Sequence, residues 1–217
     1  MDSAVKKRRC HQDARIMIQH WIEYDEATIL EDNGAGDTIR RFIQTGKSDR
    51  EALSLIESIG ATLIGVKPAS LISVRSVECL KLCHTCFACG GVVAFATVKR
   101  TGEKTQLFFY HRDCLQSVLS DVQTRYCLTH MGYPKQGTAD QYVRQLIQKM
   151  RGTDFPHEAG LFFGYPCKDV RGFMGAPIPY RKTLGWRMYG DTRISEMLYN
   201  RYRNARGFVR AMLQASQ

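Results

Sequence analysis

Val92-Val93-Ala94-Phe95-Ala96-Thr97-Val98, then Thr101-Gly102-Glu103, then Gln106-Leu107-Phe108-Phe109-Tyr110 is the stretch that decides the fold. Two runs rich in β-branched and aromatic residues flank a glycine-centred turn, the pattern of a β-hairpin. Just upstream, Ser76 to Phe87 reads as a helix ended by Gly90-Gly91. Before it, Thr62-Leu63-Ile64-Gly65-Val66 reads as a short buried strand halted by Lys67-Pro68. Ser48 and Glu51 have capping-box spacing and open a helix to Gly60. Downstream of the hairpin, residues 112–131 and 138–150 read as helices separated by Gly132-Tyr133-Pro134. Ala159 to Phe163 reads as a strand, Gly164-Tyr165-Pro166 as a tight turn, and Cys167 to Phe173 as a short helix opened by proline. Leu184 to Tyr189 reads as another strand, and a final helix is expected from Thr192 to Leu213. This irregular alternation predicts an α+β fold: one mixed β-sheet with a β-hairpin, packed against several helices, with a long C-terminal helix. Residues 1–47 are expected to be a partly helical N-terminal extension, and 48–217 a single α+β domain.

Composition agrees with a globular chain. Apolar residues at 44% and charged residues at 24% allow a core that needs no metal or disulfide to hold it. No run approaches the roughly 20 apolar residues of a membrane span, so no membrane partner is expected. Lys6 to Arg9 resemble the basic start of a leader, but His11, Gln12, Asp13 and Arg15 interrupt the apolar segment that would follow. A cytoplasmic location is the expectation, and there the eight cysteines would be thiols. The net charge of +10 is concentrated at the ends, with 11 basic against 5 acidic residues in 151–217. Anionic partners are favoured, whether small ligands or nucleic acid.

Phe155-Pro156-His157-Glu158-Ala159-Gly160-Leu161-Phe162-Phe163-Gly164-Tyr165-Pro166 carries a Pro-His-Glu motif followed by Phe-Gly-Tyr-Pro. It resembles the signature of an uncharacterised bacterial family, domain of unknown function 3793, whose second motif is Leu-Gly-Tyr-Pro. Thr62 to Ser70 and Gly185-Trp186-Arg187-Met188-Tyr189-Gly190-Asp191 extend the resemblance, which covers roughly residues 50–215. Members often carry His-Cys-Ala-Pro where this chain has Ser58-Ile59-Gly60-Ala61. The resemblance implies no reaction, ligand or cofactor, so the cofactor is unknown and enzyme or binding protein both stay open.

His157 and Glu158 are the candidate catalytic pair. As neighbours in a strand they would point to opposite faces. They would lie up to roughly 26 Å from Tyr165 on an extended chain. The plain alternative has His157 capping the strand entry and Glu158 paired with an arginine. Gly164 and Tyr165 precede a helix start, where free N–H groups favour anions. With Lys67, Arg171 and Arg187 they form the candidate ligand-binding set.

Cys79, Cys83, Cys86 and Cys89, with His84 nearby, have the look of a metal or redox cluster. Yet Cys79, Cys83 and Cys86 also fall on one helix face with Leu80 and Phe87, as a buried stripe would. Cys10, Cys114, Cys127 and Cys167 are scattered. In the last helix, Ile194, Leu198, Ala205, Phe208, Val209 and Met212 gather opposite Arg203, Arg206 and Arg210. No P-loop, dinucleotide fingerprint, nucleophile elbow or zincin motif occurs. The leading expectation is a protein binding a small anionic ligand or cofactor. The alternatives are an interaction protein holding nucleic acid or an acidic partner, and a metal or redox protein built on the cysteine cluster.

Overall fold

The computed structural model describes residues 41–42, 44–45, 50–87 and 91–215. Ser48, Cys89 and most of the N-terminal extension lie outside them. Helix α1 (Arg50–Leu63) leads to strand β1 (Ala69–Val74), helix α2 (Val77–Phe87) and the hairpin strands β2 (Val93–Thr101) and β3 (Lys104–His111). Helices α3 (Arg112–Ser120), α4 (Val122–His130) and α5 (Ala139–Met150) follow, then the single turn α6 (Ala159–Phe162) and α7 (Cys167–Phe173). A second hairpin, β4 (Tyr180–Leu184) and β5 (Trp186–Tyr189), precedes the last helix α8 (Arg193–Ala215).

The α+β class, the central β-hairpin and the long last helix are as the sequence leads one to expect. The first three strands form an antiparallel sheet in the order β1-β3-β2. Strand β3 is its middle and is covered on both faces. Leu107 and Phe109 pack with α1, α2 and α8, whereas Phe108 and Tyr110 pack with helices α3 to α7. Two-sided burial is why β3 is continuously apolar instead of alternating. Strands β4 and β5 pair only with each other, so they form a separate small sheet rather than joining the first.

Four local readings are corrected. Thr62 to Val66 is the end of α1 and a turn, not a strand. Gly65, at φ 72, ends the helix, and the extended run begins only after Pro68. Ala159 to Phe163 is helical, because Phe163 N–H bonds back to Ala159 O and Leu161 N–H to Glu158 O. A short apolar run buried all round has no periodicity to separate the two states. Residues 112–131 divide at Asp121, which ends α3 and caps α4 by accepting Thr124 N–H at 2.8 Å. Leu184 to Tyr189 is the second half of a hairpin turning at Gly185, with Leu184 opposite Trp186.

Helix α8 docks on α1 through Ala205, Val209 and Leu213, which are buried. Ile194, expected on this face, is 36% exposed, because the first turn buries Ser195 instead. Of the arginine row, Arg206 and Arg210 reach back to Glu57 on α1, and Arg203 stands over the Tyr199 ring. The helices approach closely at Gly60, where a Cβ would lie 2.9 Å from Val209 Cβ. Gly60→Ala is therefore expected to destabilise by about 1–3 kcal/mol. Gly207→Ala, in the same interface helix but with nothing within 4 Å of its would-be Cβ, should stabilise by roughly 0.5–1 kcal/mol. Urea denaturation of the two variants checks this, and equal midpoints would rule out the close approach.

Candidate functional site

The best satisfied polar group near the Gly164-Tyr165-Pro166 turn is Asp169, two per cent exposed in α7. Its Oδ1 accepts from Lys168 Nζ at 2.6 Å and from Tyr189 N–H at 2.8 Å. Its Oδ2 accepts from Ser195 Oγ at 2.6 Å and Trp186 Nε1 at 2.9 Å. Lys168 Nζ also donates to Tyr189 O and to Ser195 Oγ, each at 2.8 Å. One carboxylate thus ties α7, β5 and the start of α8 together. Ser195, Lys168 and Asp169 have the residue types of a hydrolytic triad, but Ser195 is fully buried and donates to the carboxylate. They serve as a structural knot.

The knot orients Trp186, which stacks on Tyr165 with ring centroids 4.4 Å apart and planes within 15°. Trp186 also meets Tyr199 and Tyr202 of α8. Tyr202 donates from its hydroxyl to Gly164 O at 3.1 Å. Gly164 has φ 78, and a Cβ there would strike that hydroxyl and come within 2.8 Å of Pro68 Cδ. Only glycine lets the two turns close on one another. Beside them, Lys67 Nζ stands over the Phe163 ring, 5.6 Å from its centroid. Burial, and then repulsion from Arg206, pull the Lys67 pKa from 10.5 down to about 8. No carboxylate forms an ion pair with Lys67 among the described residues.

Lys67, Gly164 and Tyr165 therefore meet in one place, with Phe163, Trp186, Tyr202 and Arg206, which sequence reasoning had not grouped with them. The helical turn at α6 folds back the segment that a strand would have stretched out. On the far side of the same turn of chain, the ring of buried His111 lies against Gly65. His111 Nδ1 accepts Cys114 N–H at 3.4 Å and caps α3, whereas Nε2 has no partner. Burial lowers the His111 pKa, so the ring is neutral near pH 7 and carries its proton on Nε2.

Arg171 and Arg187 are elsewhere. Arg187 stands over Phe173, 5.5 Å from its centroid, and Arg171 is exposed on α7 near Cys167. His157 and Glu158 diverge, as expected, but from a turn instead of a strand. Exposed His157 meets Phe173 edge-on at 5.0 Å and caps no strand. Glu158 is buried and pairs with Lys149 at 2.8 Å, not with an arginine, while Tyr133 Oη donates to the same oxygen at 3.2 Å. An open depression of about 650 Å³ lies beyond Tyr133, lined by Gln136, Gln141, Arg144, Gln145 and Gln148.

Cys79 and Cys83 are buried with Phe87 in the core between the sheet, α1 and α8, and Cys86 packs against it. The Cys79 sulfur, and then burial, push the Cys83 thiol up. Among the described residues no group of three or more His, Cys, Asp or Glu side chains converges as metal ligands would. Cys127 and Cys167, 40 residues apart in sequence, bring their sulfurs to 2.7 Å. Neither position carries a motif that would have paired them. The Asp169 partners are likewise separated by up to 26 residues, and only the strand–turn–helix element hinted at their site.

A family model described as protein of unknown function (DUF3793) matches residues 55–217. Neither a curated protein nor a solved structure matches the chain. Asp169→Asn would leave Lys168 facing an amide in a half-buried site. It should cost about 2–4 kcal/mol and weaken the near-ultraviolet circular dichroism of the Trp186–Tyr165 stack. An unchanged melt with an unchanged aromatic signal would remove Asp169 from this role.

Proposed function

We propose that this chain, which belongs to the DUF3793 family, binds a small anion where the Lys67-Pro68 turn meets the Phe163-Gly164-Tyr165 turn. The observation that carries the reading is Lys67, a half-buried cation with no carboxylate partner among the described residues, held on an aromatic face beside Arg206. Burying an ammonium unpaired is costly, and a bound carboxylate or phosphate would offset that cost. In this reading Lys67 supplies the charge, Phe163 and Tyr165 the apolar wall, and Tyr202 fixes Gly164 so that the backbone stays out of the way.

The pH dependence follows from the lowered Lys67 pKa. The folded state releases the proton near pH 8, the unfolded chain only near 10.5. Between these values the unfolded state binds more protons, so stability rises with pH. Anion affinity should be flat below pH 8 and fall about tenfold per pH unit above it. The test is calorimetric titration with inorganic phosphate and with citrate at pH 7 and pH 9. Binding at pH 7 that weakens at pH 9 and is absent in Lys67→Met is the expected result. Binding that survives Lys67→Met, or no heat at either pH, would sink the reading. Without ligand, Lys67→Met should itself stabilise the protein at pH 7 by about 1–3 kcal/mol, an advantage that vanishes toward pH 10.5.

A second reading, binding of nucleic acid, is favoured by one surface. Phe173 is 44% exposed, and His157 and Arg187 lie against its ring, neither ion-paired among the described residues. Aromatic faces interleaved with guanidiniums suit stacked, anionic single strands. Fluorescence anisotropy with a labelled single-stranded oligonucleotide should then show affinity that falls steeply with salt and drops several-fold in Arg187→Ala. Indifference to both salt and Arg187→Ala would exclude it, and Lys67→Met should leave it unaltered.

A further inference from the structure

Cys127 sits in the middle of α4 and is buried, whereas Cys167 opens α7 and is half-buried. Their sulfurs are 2.7 Å apart, and Cys167 Sγ lies 3.9 Å from Gln123 O at the protein surface. No other pair among the described cysteines combines one accessible sulfur with a buried partner in contact across two separate elements. From this geometry we infer that Cys127 and Cys167 form a redox-active dithiol site, which a low-molecular-weight disulfide oxidises to an intramolecular disulfide joining α4 to α7.

Accessibility assigns the order of events. The Cys167 thiolate attacks one sulfur of the small disulfide, forms a mixed disulfide and releases one small thiolate. Cys127, deprotonated in turn, attacks Cys167 Sγ, forms the Cys127–Cys167 bond and releases the second small thiolate. Two protein thiols and one small disulfide give one protein disulfide and two small thiols. The protein loses two electrons, the small disulfide gains them, and the two thiol protons end on the released thiols.

The surroundings make this a slow site rather than a rapid sensor. Burial, then the Cys127 sulfur, push the Cys167 thiol up, and Asp121 at the start of α4 adds to this; Arg171 on α7 acts in the opposite sense. Little thiolate exists near neutrality, so the rate should climb close to tenfold for each pH unit as the solution is made more alkaline. Once formed, the bond closes a long loop and is not strained by bringing distant elements together, because α4 and α7 already touch. It would also pin the helix that carries Asp169. The proposal stands whether or not an anion binds at Lys67.

The test is oxidation of the full chain with oxidised glutathione at pH 8.5, followed by alkylation of the remaining thiols and peptide mapping. The expected product has a Cys127–Cys167 cross-linked peptide, a mass lower by about 2 Da from the loss of two hydrogens, and full reversal by dithiothreitol. Cys127→Ser should stop at a glutathione adduct on Cys167, which separates attack from resolution. Cys114→Ser should still form the bond. Free Cys127 and Cys167 after oxidation would overturn the proposal. So would an unresolved glutathione adduct on wild-type Cys167, or pairing of either residue with a different cysteine. Because the decisive measurement uses the wild-type protein, a variant that fails to fold does not decide it.

Discussion

A single buried carboxylate, Asp169, governs how the C-terminal third of the molecule is assembled. The β4–β5 hairpin has no hydrogen-bonded strand neighbour in the main sheet, so its position must come from side-chain contacts. Asp169 supplies most of the polar ones, with Lys168, Ser195, Trp186 and the Tyr189 amide all donating to it, and Lys182 adds an ion pair with Glu196 of α8. Gly172 supplies the apolar one, letting α7 sit directly against Tyr189. A carboxylate with four donors is worth keeping inside, whereas one with a missing donor would be a liability. Everything beyond the knot inherits its geometry: Trp186 is aimed at Tyr165, Tyr165 flanks Phe163, and Phe163 carries Lys67.

How much of this was legible in the sequence depends on the range over which each signal acts. The β2–β3 hairpin is local, and the apolar run from Leu107 to Tyr110 announces a strand before any partner is known. Helix α7 was bounded correctly at Cys167 and Phe173, because Pro166 presets its entry. The family motif drew attention to the Gly164-Tyr165-Pro166 turn. By contrast, Ala159 to Phe162 is one turn buried on all sides, and burial erases the amphipathic period that distinguishes helix from strand. Misreading it stretched the His157–Tyr165 segment on paper. The Asp169 knot and the Cys127–Cys167 pair join residues far apart in the chain, and neither leaves a periodic trace.

The C-terminal half shows why residue type alone misassigns chemistry. Glu158 belongs to a family motif and looks like a general acid or base, yet it is buried with Lys149 and Tyr133 donating to one oxygen. Ser195 has a lysine and an aspartate within hydrogen-bonding distance, yet it is fully buried. Conversely, Cys167 looked like a stray thiol at a helix start until α4 brought Cys127 beside it. In each case the deciding quantity is access: which atom a second molecule can touch, and which is already spoken for.

The same criterion gives Lys67 its weight. Lys67, Lys149 and Lys168 are half-buried, as is Lys182, which pairs with Glu196 at 2.8 Å. Lys149 meets Glu158 at 2.8 Å and Lys168 meets Asp169 at 2.6 Å, so both charges are neutralised where they lie. Lys67 stands over Phe163 as Lys149 stands over Tyr133, but its charged neighbour is the Arg206 guanidinium, and it has no carboxylate partner among the described residues. Glu158 and Asp169 partner Lys149 and Lys168, whereas among the described residues no carboxylate partners Lys67. In the proposed reading, a bound anion would offset the electrostatic cost that the unpaired ammonium carries.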